Sequence, residues 1–521
     1  MANKVTLEKN KKFSECCLWQ MQREYFDKSG VDAWVNQVPF YVTSNPFIAN
    51  CYADIVIQLI RDWTRKHSNA IQHPFYILEL GTGPGRFSFY VLKKLYELRG
   101  TLGLDNLKIC YIMSDFTASN IKYWESHPAL QLFIKEGMLD FAIYNMEEDA
   151  PITLIHRNLT LTPESFVNPL TVFGNYIFDT VSHDAFSVNN GKLYELLVTM
   201  TNDKENMRGD KPIDWEKIHM EYSSHEITQP YYDDEHFNAV LEEYRTNLTD
   251  TSLLMPIGGL RAIKKLQKLA DKMLLLSSDK GYSSLESMDN LMHPRPAFHG
   301  SLSMMVNFHA IASYFKHSGN DFMLQTPRKG IKTVAFSSGF KLKDLPATSV
   351  ALNQHIEIFS PSDYFTLHRR ISDSYHECSL EILASHMALT GWDPHIFMRI
   401  NNRLCSLVGS SDSTTIDFMA VNMPRIMANF YPLPKADNVP FEIAFFFHSA
   451  KRYADAVHYY KQAQLVAGEQ FGLVYNTSLC QFYMGDKEAA LIGFKHSLEL
   501  NPDSKEAKDW IIHIEGEQAK S

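Results

Sequence analysis

The chain has 521 residues, of which 45% are hydrophobic and 21% charged, and this composition excludes disordered, collagen-like and low-complexity proteins. Its formal net charge of −10 disfavours a protein that neutralises nucleic-acid phosphates, so no stable nucleic-acid binding is expected. Seven scattered cysteines without a C-x-x-C pair predict neither disulfides nor a metal site, and they favour the cytoplasm, with export lacking an N-terminal signal left open. No apolar run is long enough to predict membrane insertion.

Residues 1–72 are expected to form an N-terminal helical cap, broken by a turn-prone segment at 38–47. From 73 to 335, short apolar runs alternate with amphipathic stretches, which is typical of an α/β domain with a parallel sheet between helices. The runs that we interpret as strands are 75–80, 107–113, 141–146, 170–178 and 272–278.

Two features interrupt or follow this domain. The dipeptide Asn190–Gly191 stands between two apolar runs and predicts a β-hairpin. Residues from about 200 to 255 are mostly polar or charged, and we interpret them as a surface insertion. A mainly helical connecting region is expected over 336–435, ending in a proline-bracketed linker at 433–440.

The C-terminal residues 440–521 contain an internal repeat. Ala456 and Ala490 are 34 residues apart (490 − 456), and the same interval separates Tyr460 from Phe494. This period is typical of tetratricopeptide hairpins, in which small residues let paired helices approach and an aromatic side chain fills the space between them. A capping helix is expected to follow, and an ordinary helical hairpin is the alternative. Because such repeats bind peptides on their concave faces, we expect a protein substrate or partner.

A glycine-rich segment, Glu79-Leu80-Gly81-Thr82-Gly83-Pro84-Gly85-Arg86, follows the first predicted strand. Its third glycine comes one residue earlier than in a dinucleotide fingerprint, and a carboxylate at Glu79 would repel a pyrophosphate. The same carboxylate could pair with the ammonium group of S-adenosylmethionine (SAM). The E-x-G-x-G-x-G pattern resembles motif I of class I SAM-dependent methyltransferases, whereas a glycine turn without a ligand is the structural alternative.

Residues after the next strands are placed where this fold binds its cofactor. Asp115 is expected to accept hydrogen bonds from the ribose hydroxyls, or else to cap the following helix. Asn145 is expected to contact the adenine amine, with Met146 against its face. The complete set of predicted cofactor-binding residues is Thr43, Glu79, Gly81, Thr82, Gly83, Gly85, Asp115, Asn145, Met146 and Asn175.

The exit of the fourth strand supplies the predicted catalytic residues Asn175, Tyr176 and Asp179. Ligands bind at the carboxyl edge of open α/β sheets, which is where these side chains should lie. Asn175 would orient the acceptor nitrogen of the methyl group, and Asp179 would support or deprotonate it. Helix capping is the alternative role of Asp179.

With these residues in view, the segment from about Tyr25 to Ile311 resembles the MidA family of SAM-dependent methyltransferases, whose mitochondrial relatives assemble complex I and methylate a protein arginine. Beyond the glycine loop, six further segments of this chain resemble sequence blocks of the family, at 40–44, 175–179, 184–186, 279–282, 299–301 and 306–308. The resemblance implies a class I Rossmann-like fold, a SAM cofactor and an arginine-like nitrogen as acceptor.

Three departures from the family pattern concern the acceptor side: Tyr176 replaces a Glu, Lys280 a Tyr, and Asn307 an Asp. They leave open a second hypothesis, a non-catalytic SAM-binding scaffold in which the helical repeats act alone. A third hypothesis, a nucleic-acid amino methyltransferase, is suggested by Asn45-Pro46-Phe47 and disfavoured by the acidic charge balance.

Overall fold

The computed structural model describes residues 4–33, 41–203, 217–298, 301–434 and 438–518. Its contacts divide the chain into two compact units, residues 1–366 and 367–521. Several predicted features fall partly outside the described residues, namely Phe40, His299 and Gly300 of the family blocks, residues 204–216 of the insertion and 435–437 of the linker. The four-domain division made from the sequence stays a prediction.

A seven-stranded sheet forms the centre of the first unit. In chain order its strands are β1 (Phe75–Glu79), β2 (Ile109–Asp115), β3 (Leu139–Ile143), β4 (Leu170–Phe173), β5 (Met273–Asp279), β6 (Asp321–Leu324) and β7 (Lys332–Ser338). Their spatial order is β6-β7-β5-β4-β1-β2-β3.

The five adjacent strands β5, β4, β1, β2 and β3 are parallel to one another. Strand β7 is antiparallel to its two neighbours, β5 and β6. Strands β1, β2 and β5 are buried along their whole length, as expected for a sheet covered on both faces. The predicted fold class, a class I methyltransferase-like α/β sheet with helical additions, is confirmed.

Helices surround this sheet. The helix Pro46–Lys66 begins at the N-cap Asn45, whose side chain accepts a hydrogen bond from Ile48, and it buries an apolar face that includes Tyr52 and Trp63. The other α-helices that lie in or begin in this unit are Cys17–Ser29, Arg86–Thr101, Ala118–Ser126, Gln131–Lys135, Glu235–Asn247, Ile257–Leu269, Phe308–His317, Pro346–Leu352 and Pro361–Asp373.

A second, antiparallel sheet stands beside the first. Its hairpin turns at Asn190 and Gly191, which have φ angles of 49° and 73°, so the predicted hairpin is confirmed. Two further strands come from the predicted insertion, which is therefore an ordered part of this sheet where it is described. The five strands are Lys4–Lys12, Asp184–Asn189, Lys192–Asp203, His219–Glu226 and Asp250–Met255.

The prediction of helix throughout 1–72 was wrong at Lys4–Lys12. This segment is a strand that pairs antiparallel with Lys192–Asp203. Its apolar Val5 and Leu7 alternate with polar residues, a period of two that fits a half-buried strand. The strand contains several lysines, which are common on edge strands because their charge discourages pairing with other chains.

The second unit is helical. The helices Tyr453–Ala467 and Lys487–Leu500 begin 34 residues apart (487 − 453), in agreement with the repeat period. The small and aromatic repeat positions are buried in both helices. The α-helices after residue 373 are Leu380–Leu389, Pro394–Leu407, Ser413–Ala428, Val439–Ser449, Tyr453–Ala467, Phe471–Tyr483, Lys487–Leu500 and Lys505–Gln518. Their assignment to tetratricopeptide repeats stays a prediction. None of the helices in the described ranges is both long and apolar enough to cross a membrane.

Candidate functional site

The glycine loop links β1 to the helix Arg86–Thr101. Gly81, Gly83 and Gly85 have φ angles of 60°, 59° and 84°, a left-handed region that side chains with a Cβ rarely occupy. Gly85 is the N-cap of the helix, and no side chain caps the helix there, where helix N-termini commonly receive ligand anions. A Cβ at Gly81 would stand 2.6 Å from Cδ1 of Ile177, so the loop lies against the exit of β4.

Glu79, the acid before this loop, is bonded inside the protein. One carboxylate oxygen accepts hydrogen bonds from the hydroxyls of Tyr111, at 2.7 Å, and Ser88. Burial raises the pKa of Glu79 to about 7, although these hydrogen bonds favour its charged form. The carboxylate thus connects the start of the helix Arg86–Thr101 to β2 through hydrogen bonds. The predicted pairing of Glu79 with the ammonium group of SAM stays a prediction.

Asp115, at the end of β2, holds two elements together. Its carboxylate accepts hydrogen bonds from the backbone N–H of Thr117 at 3.0 Å, from Nδ2 of Asn120 at 3.0 Å and from the N–H of Gly83 at 3.3 Å. The first two contacts order the start of the helix Ala118–Ser126, as the capping alternative expects, and the third ties Asp115 to the glycine loop. Burial raises the pKa of Asp115.

A narrow cleft of about 70 Å³ lies beside the glycine loop and the end of β3. Gly81, Asn145 and Met146 all line it, so the structure brings these three predicted residues together. The side chain of Asn145 orders its own turn, with Oδ1 accepting from the N–H of Glu147 at 3.1 Å. The full lining comprises Gln22, Arg23, Phe26, Leu80, Gly81, Phe116, Tyr144, Asn145, Met146, Glu147, Ile177, Thr180 and Val181.

The helix Cys17–Ser29 forms one wall of this cleft, which the sequence did not reveal. Nη1 of Arg23 lies 3.2 Å from Oε2 of Glu147, and Gln22 donates to the backbone oxygen of Leu302 at 2.6 Å. The other oxygen of Glu147 accepts from the N–H of Ser182 at 3.1 Å. Glu147 therefore connects the helix to the segment that follows β4.

Asn175 follows β4 and is held through its oxygen. Oδ1 accepts from the hydroxyl of Tyr52 at 2.8 Å and from the backbone N–H of Ser278 at 2.9 Å. Because a backbone N–H can only donate, the bonded atom is the oxygen, and Nδ2 is the remaining polar atom. Nδ2 is buried and has no hydrogen-bond partner among the described residues. Asn175 can thus donate to a ligand oxygen, whereas its oxygen is already occupied.

Asp179 lies beside Asp279, a residue that the predicted site did not include. The two carboxyl groups influence one another's charge, and the two residues are only 4% and 0% exposed. Burial raises the pKa of Asp179 to about 7, and burial together with the charge of Asp179 raises that of Asp279 well above its usual value. No helix begins within residues 175–183, all of which are described, so the capping role for Asp179 is wrong.

Tyr176 lies next to both acids in a constrained conformation. Its φ of 47° is left-handed, which is uncommon for a bulky residue and recurs at functional sites. Burial and the nearby charges of Asp279 and Asp179 raise its pKa, so the phenol is neutral. Tyr176 therefore lies at the exit of β4 beside the two acids, and its catalytic role stays a prediction.

Two predicted residues near the N-terminus have other surroundings. Thr43 is buried in the turn before the helix Pro46–Lys66 and is not among the described residues that line the cleft. Asn45 caps this helix through Oδ1 and donates through Nδ2 to the backbone oxygens of Tyr41 and Val42. Its side chain thus has a structural role, which weakens the nucleic-acid hypothesis.

A second cavity has a volume of about 380 Å³, and neither Asp179 nor Asp279 is among its lining residues. Met304 lines this cavity and donates its backbone N–H to the backbone oxygen of Asp179 at 2.9 Å. Tyr282 and Asn307, which belong to two of the family-like blocks, also line this cavity. The two residues are paired with each other in a short parallel strand pair. Its remaining lining combines methionine and leucine side chains with Ser252, Asn290, His293, Pro294 and Arg295.

Comparison with known proteins finds similar structures only at low identity. No protein-family model matches the sequence, and no curated protein matches it. Two proteins of one superfamily from Burkholderia thailandensis are similar in structure. An uncharacterised one has 12% identity and a TM-score of 0.36, and covers 63% of this chain and 92% of its own. The other, called a "likely methyl transferase" and bound to S-adenosyl-homocysteine, has 13% identity and a TM-score of 0.40 over 65% of this chain and 88% of its own.

A third similar structure is the Cut9–Hcn1 hetero-tetramer of the APC/C. It has 15% identity and a TM-score of 0.22, and the match covers 33% of this chain and 32% of that one. At these scores the similarity adds no residue-level information, so the function is inferred from the geometry of the site.

Proposed function

We propose that this protein is a SAM-dependent methyltransferase that acts on a nitrogen of a protein side chain. The observation that carries the proposal is the position of the glycine loop. The chain runs from β1 to β2 and β3 on one side and returns to β4 on the other, so the strand order reverses between β1 and β4. In open α/β sheets, ligands bind at this point, outside the carboxyl ends of the strands.

The residues at this point fit the cofactor in several respects. The left-handed glycines allow the methionine part of SAM to approach the backbone, and the uncapped start of the helix Arg86–Thr101 offers N–H donors to its carboxylate. Asn145 and Met146 line the cleft where the adenine would lie. Nδ2 of Asn175 provides a further donor at the exit of β4. Asp115 would reach the ribose after exchanging one of its internal hydrogen bonds.

Entry of the cofactor requires the cleft to open. Pockets for ligands of this size usually hold about 300–1,000 Å³, far more than the 70 Å³ found here. The helix Cys17–Ser29 is the wall that has to shift, and the contacts it would loosen are the partly exposed ion pair Arg23–Glu147 and the buried hydrogen bond of Gln22 to Leu302. We therefore assign this helix the role of a cover that closes over bound SAM.

The reaction needs little acid–base chemistry from the protein. When bound, SAM supplies a methyl group on a positively charged sulfur. The chain's part is to hold the acceptor nitrogen in line with that group, because proximity and orientation supply most of the rate. Asp179 is buried at the exit of β4, two residues after Ile177, which lies against the glycine loop. Its carboxylate would keep a cationic nitrogen in place.

A protein nitrogen, arginine-like, is the acceptor that we favour. The resemblance to the MidA family supports this choice, and the paired helices of residues 439–518 would dock the substrate protein. The second candidate function is a non-catalytic SAM-binding scaffold. It is favoured by the inward hydrogen bonds of Glu79 and Asp115 and by the small cleft.

The proposal is tested by thermal unfolding with SAM, S-adenosyl-homocysteine and NAD. A ligand that binds only the folded protein stabilises it by about 2.7 kcal/mol at a hundredfold excess over its Kd. We expect both sulfur compounds to raise Tm and NAD to leave it unchanged. A response to NAD alone would overturn the assignment, and radiolabel transfer from SAM into protein separates the enzyme from the scaffold.

A further inference from the structure

Asp179 and Asp279 form an unusual pair for the interior of a protein. Asp179 comes after β4 and Asp279 is the last residue of the neighbouring strand β5, and both are almost completely removed from water. Each carboxylate loses its hydration on burial, and two of them side by side repel one another when both are ionised. A buried pair of carboxyl groups is retained in a protein only if other groups compensate its charge or if the pair has a function.

The hydrogen bonds of this pair are incomplete. Oδ1 of Asp279 accepts from the backbone N–H of Lys280 at 2.7 Å. Oδ2 of Asp279 and Oδ1 of Asp179 are buried without a hydrogen-bond partner among the described residues, and the backbone N–H of Asp179 also acts on the Asp279 carboxyl. Buried oxygens of this kind are rare in native proteins and point to a ligand or a catalytic role.

The surroundings supply little positive charge. Lys280 acts on both acids, but its side chain extends into solvent. Tyr52, from the helix Pro46–Lys66, and Tyr176, from the exit of β4, face Asp279 as neutral phenols. The pair therefore offers two acceptor oxygens to a cation that the described residues do not provide.

We propose that Asp179 and Asp279 together bind the cationic nitrogen of the methyl acceptor, an alkylammonium or a guanidinium group. Asp279 is thereby a second acceptor-binding residue, absent from the predicted set. The inference rests on the proposed function and deepens it, since it names the charge state of the substrate. The cavity of about 380 Å³ is connected to the pair only through Met304, whose backbone N–H donates to the backbone oxygen of Asp179.

The proton balance follows from this arrangement. Without an acceptor the two carboxyls share one proton, and a cationic acceptor replaces it, so binding releases a proton to solvent. In the transfer step, the acceptor nitrogen forms a bond to the methyl carbon while the carbon–sulfur bond breaks and its electrons stay on sulfur. The nitrogen must give one proton to the carboxylate pair before this bond to carbon forms, because a protonated amine has no free electron pair, and the methylated group then carries a single positive charge.

The test compares three small probes on the full chain saturated with S-adenosyl-homocysteine: ethylammonium, ethylguanidinium and the neutral ethylurea. Thermal unfolding is recorded for the wild type, for Asp279→Asn and for the exposed-acid control Asp289→Asn. In Asp279→Asn the new amide can donate to Oδ1 of Asp179, so this variant is expected to fold and, at alkaline pH, to unfold at a higher Tm than the wild type.

We expect at least one of the two cations to raise Tm in the wild type and in Asp289→Asn, with ethylurea inactive. In Asp279→Asn the rise should be at least threefold smaller. An equal rise in Asp279→Asn, an equal effect of ethylurea, or no response of the wild type to either cation would overturn the inference. The response to S-adenosyl-homocysteine is read separately, so its absence would overturn the proposed function instead.

Discussion

Arg23 and Glu147 join the N-terminal helix to the wall of the cleft, with Nη1 and Oε2 3.2 Å apart. Arg23 belongs to the helix Cys17–Ser29, and Glu147 comes directly after Met146. This ion pair spans the place where the adenine of SAM is proposed to lie. The ion pair is the partly exposed one of the contacts that hold the cover, beside the hydrogen bond of Gln22 to Leu302 and the buried side chain of Trp19.

The first prediction concerns this contact. Arg23→Ala should accelerate the association of S-adenosyl-homocysteine severalfold, because the helix is no longer held over the cleft. Stability should change by less than about 1 kcal/mol, since the pair is partly exposed. Stopped-flow fluorescence measures the rate, and Lys93→Ala, which breaks a surface pair with Glu97, is the control. An unchanged association rate would show that the helix does not gate the site.

The second prediction concerns Gly81. In Gly81→Ala the new Cβ would push the side chain of Ile177 into the cleft, so we expect binding of S-adenosyl-homocysteine to weaken at least tenfold. Gly103→Ala is a matched control, because Gly103 has a similar φ of 66° and open space around it. Both variants should lose about 1 kcal/mol of stability from the left-handed backbone. Calorimetric titration that finds equal affinities in the two variants contradicts the placement of the cofactor.

The third prediction concerns Glu79 and pH. Its pKa is raised by burial to about 7, so its protonation stabilises the fold below about pH 4, and this contribution is lost as the pH rises through 7. Glu79→Gln keeps an oxygen for Ser88 and Tyr111 and removes the titration. The loss of unfolding free energy between about pH 5 and pH 8 should be smaller in this variant, by on the order of 2–3 kcal/mol. Urea unfolding at both pH values measures this difference. If the free energy of unfolding changes equally with pH in the wild type and in Glu79→Gln, the raised pKa of Glu79 is refuted.

The fourth prediction concerns the support of Asn175. Tyr52→Phe removes the hydroxyl that lies 2.8 Å from Oδ1 of Asn175 and 2.9 Å from Oγ of Ser278. We expect a loss of about 1–2 kcal/mol in stability and a lower rate of methyl transfer, with unchanged affinity for S-adenosyl-homocysteine. The control is Tyr364→Phe, another buried tyrosine, whose hydroxyl bonds Tyr41. A transfer rate equal to that of the control would exclude a positioning role for Tyr52.

The fifth prediction concerns the helical repeats. A Cβ at Gly493 would stand 2.1 Å from Oγ of Ser478, at the close approach of two helices, whereas Gly472 has open space. Gly493→Ala should therefore destabilise the second unit by about 1–3 kcal/mol. Gly472→Ala should be neutral or stabilise its helix by up to about 1 kcal/mol. Thermal unfolding of both variants that gives equal shifts would contradict the tight packing of this hairpin.

The sequence predicts the central strands well because their apolar runs are continuous and each ends near a glycine or polar residue. Strand Lys4–Lys12 escaped detection, since its lysine-rich edge has few apolar residues. Strands β6 and β7 were not predicted, and the domain limit at 335 cuts through β7. Local periodicity thus defines buried strands and leaves edge strands ambiguous.

The site was predictable where its residues directly follow a strand. Gly81, Asn145 and Met146 meet in one cleft because the carboxyl ends of parallel strands share an edge. Tyr52 and Ser278 contact Asn175 from 123 and 103 residues away, and no sequence pattern announces such contacts. Asp279 stood in a recognised block, but its proximity to Asp179 depends on the pairing of β4 with β5.

The pairing of Lys4–Lys12 with Lys192–Asp203 has a practical consequence for anyone who shortens the protein. Removal of the first 33 residues would take away one wall of the cleft together with the partner of residues 197–203. The exposed backbone there could recruit strands from other molecules. The trimmed chain would therefore be expected to precipitate sooner than the full chain, so affinity tags belong at the carboxyl end.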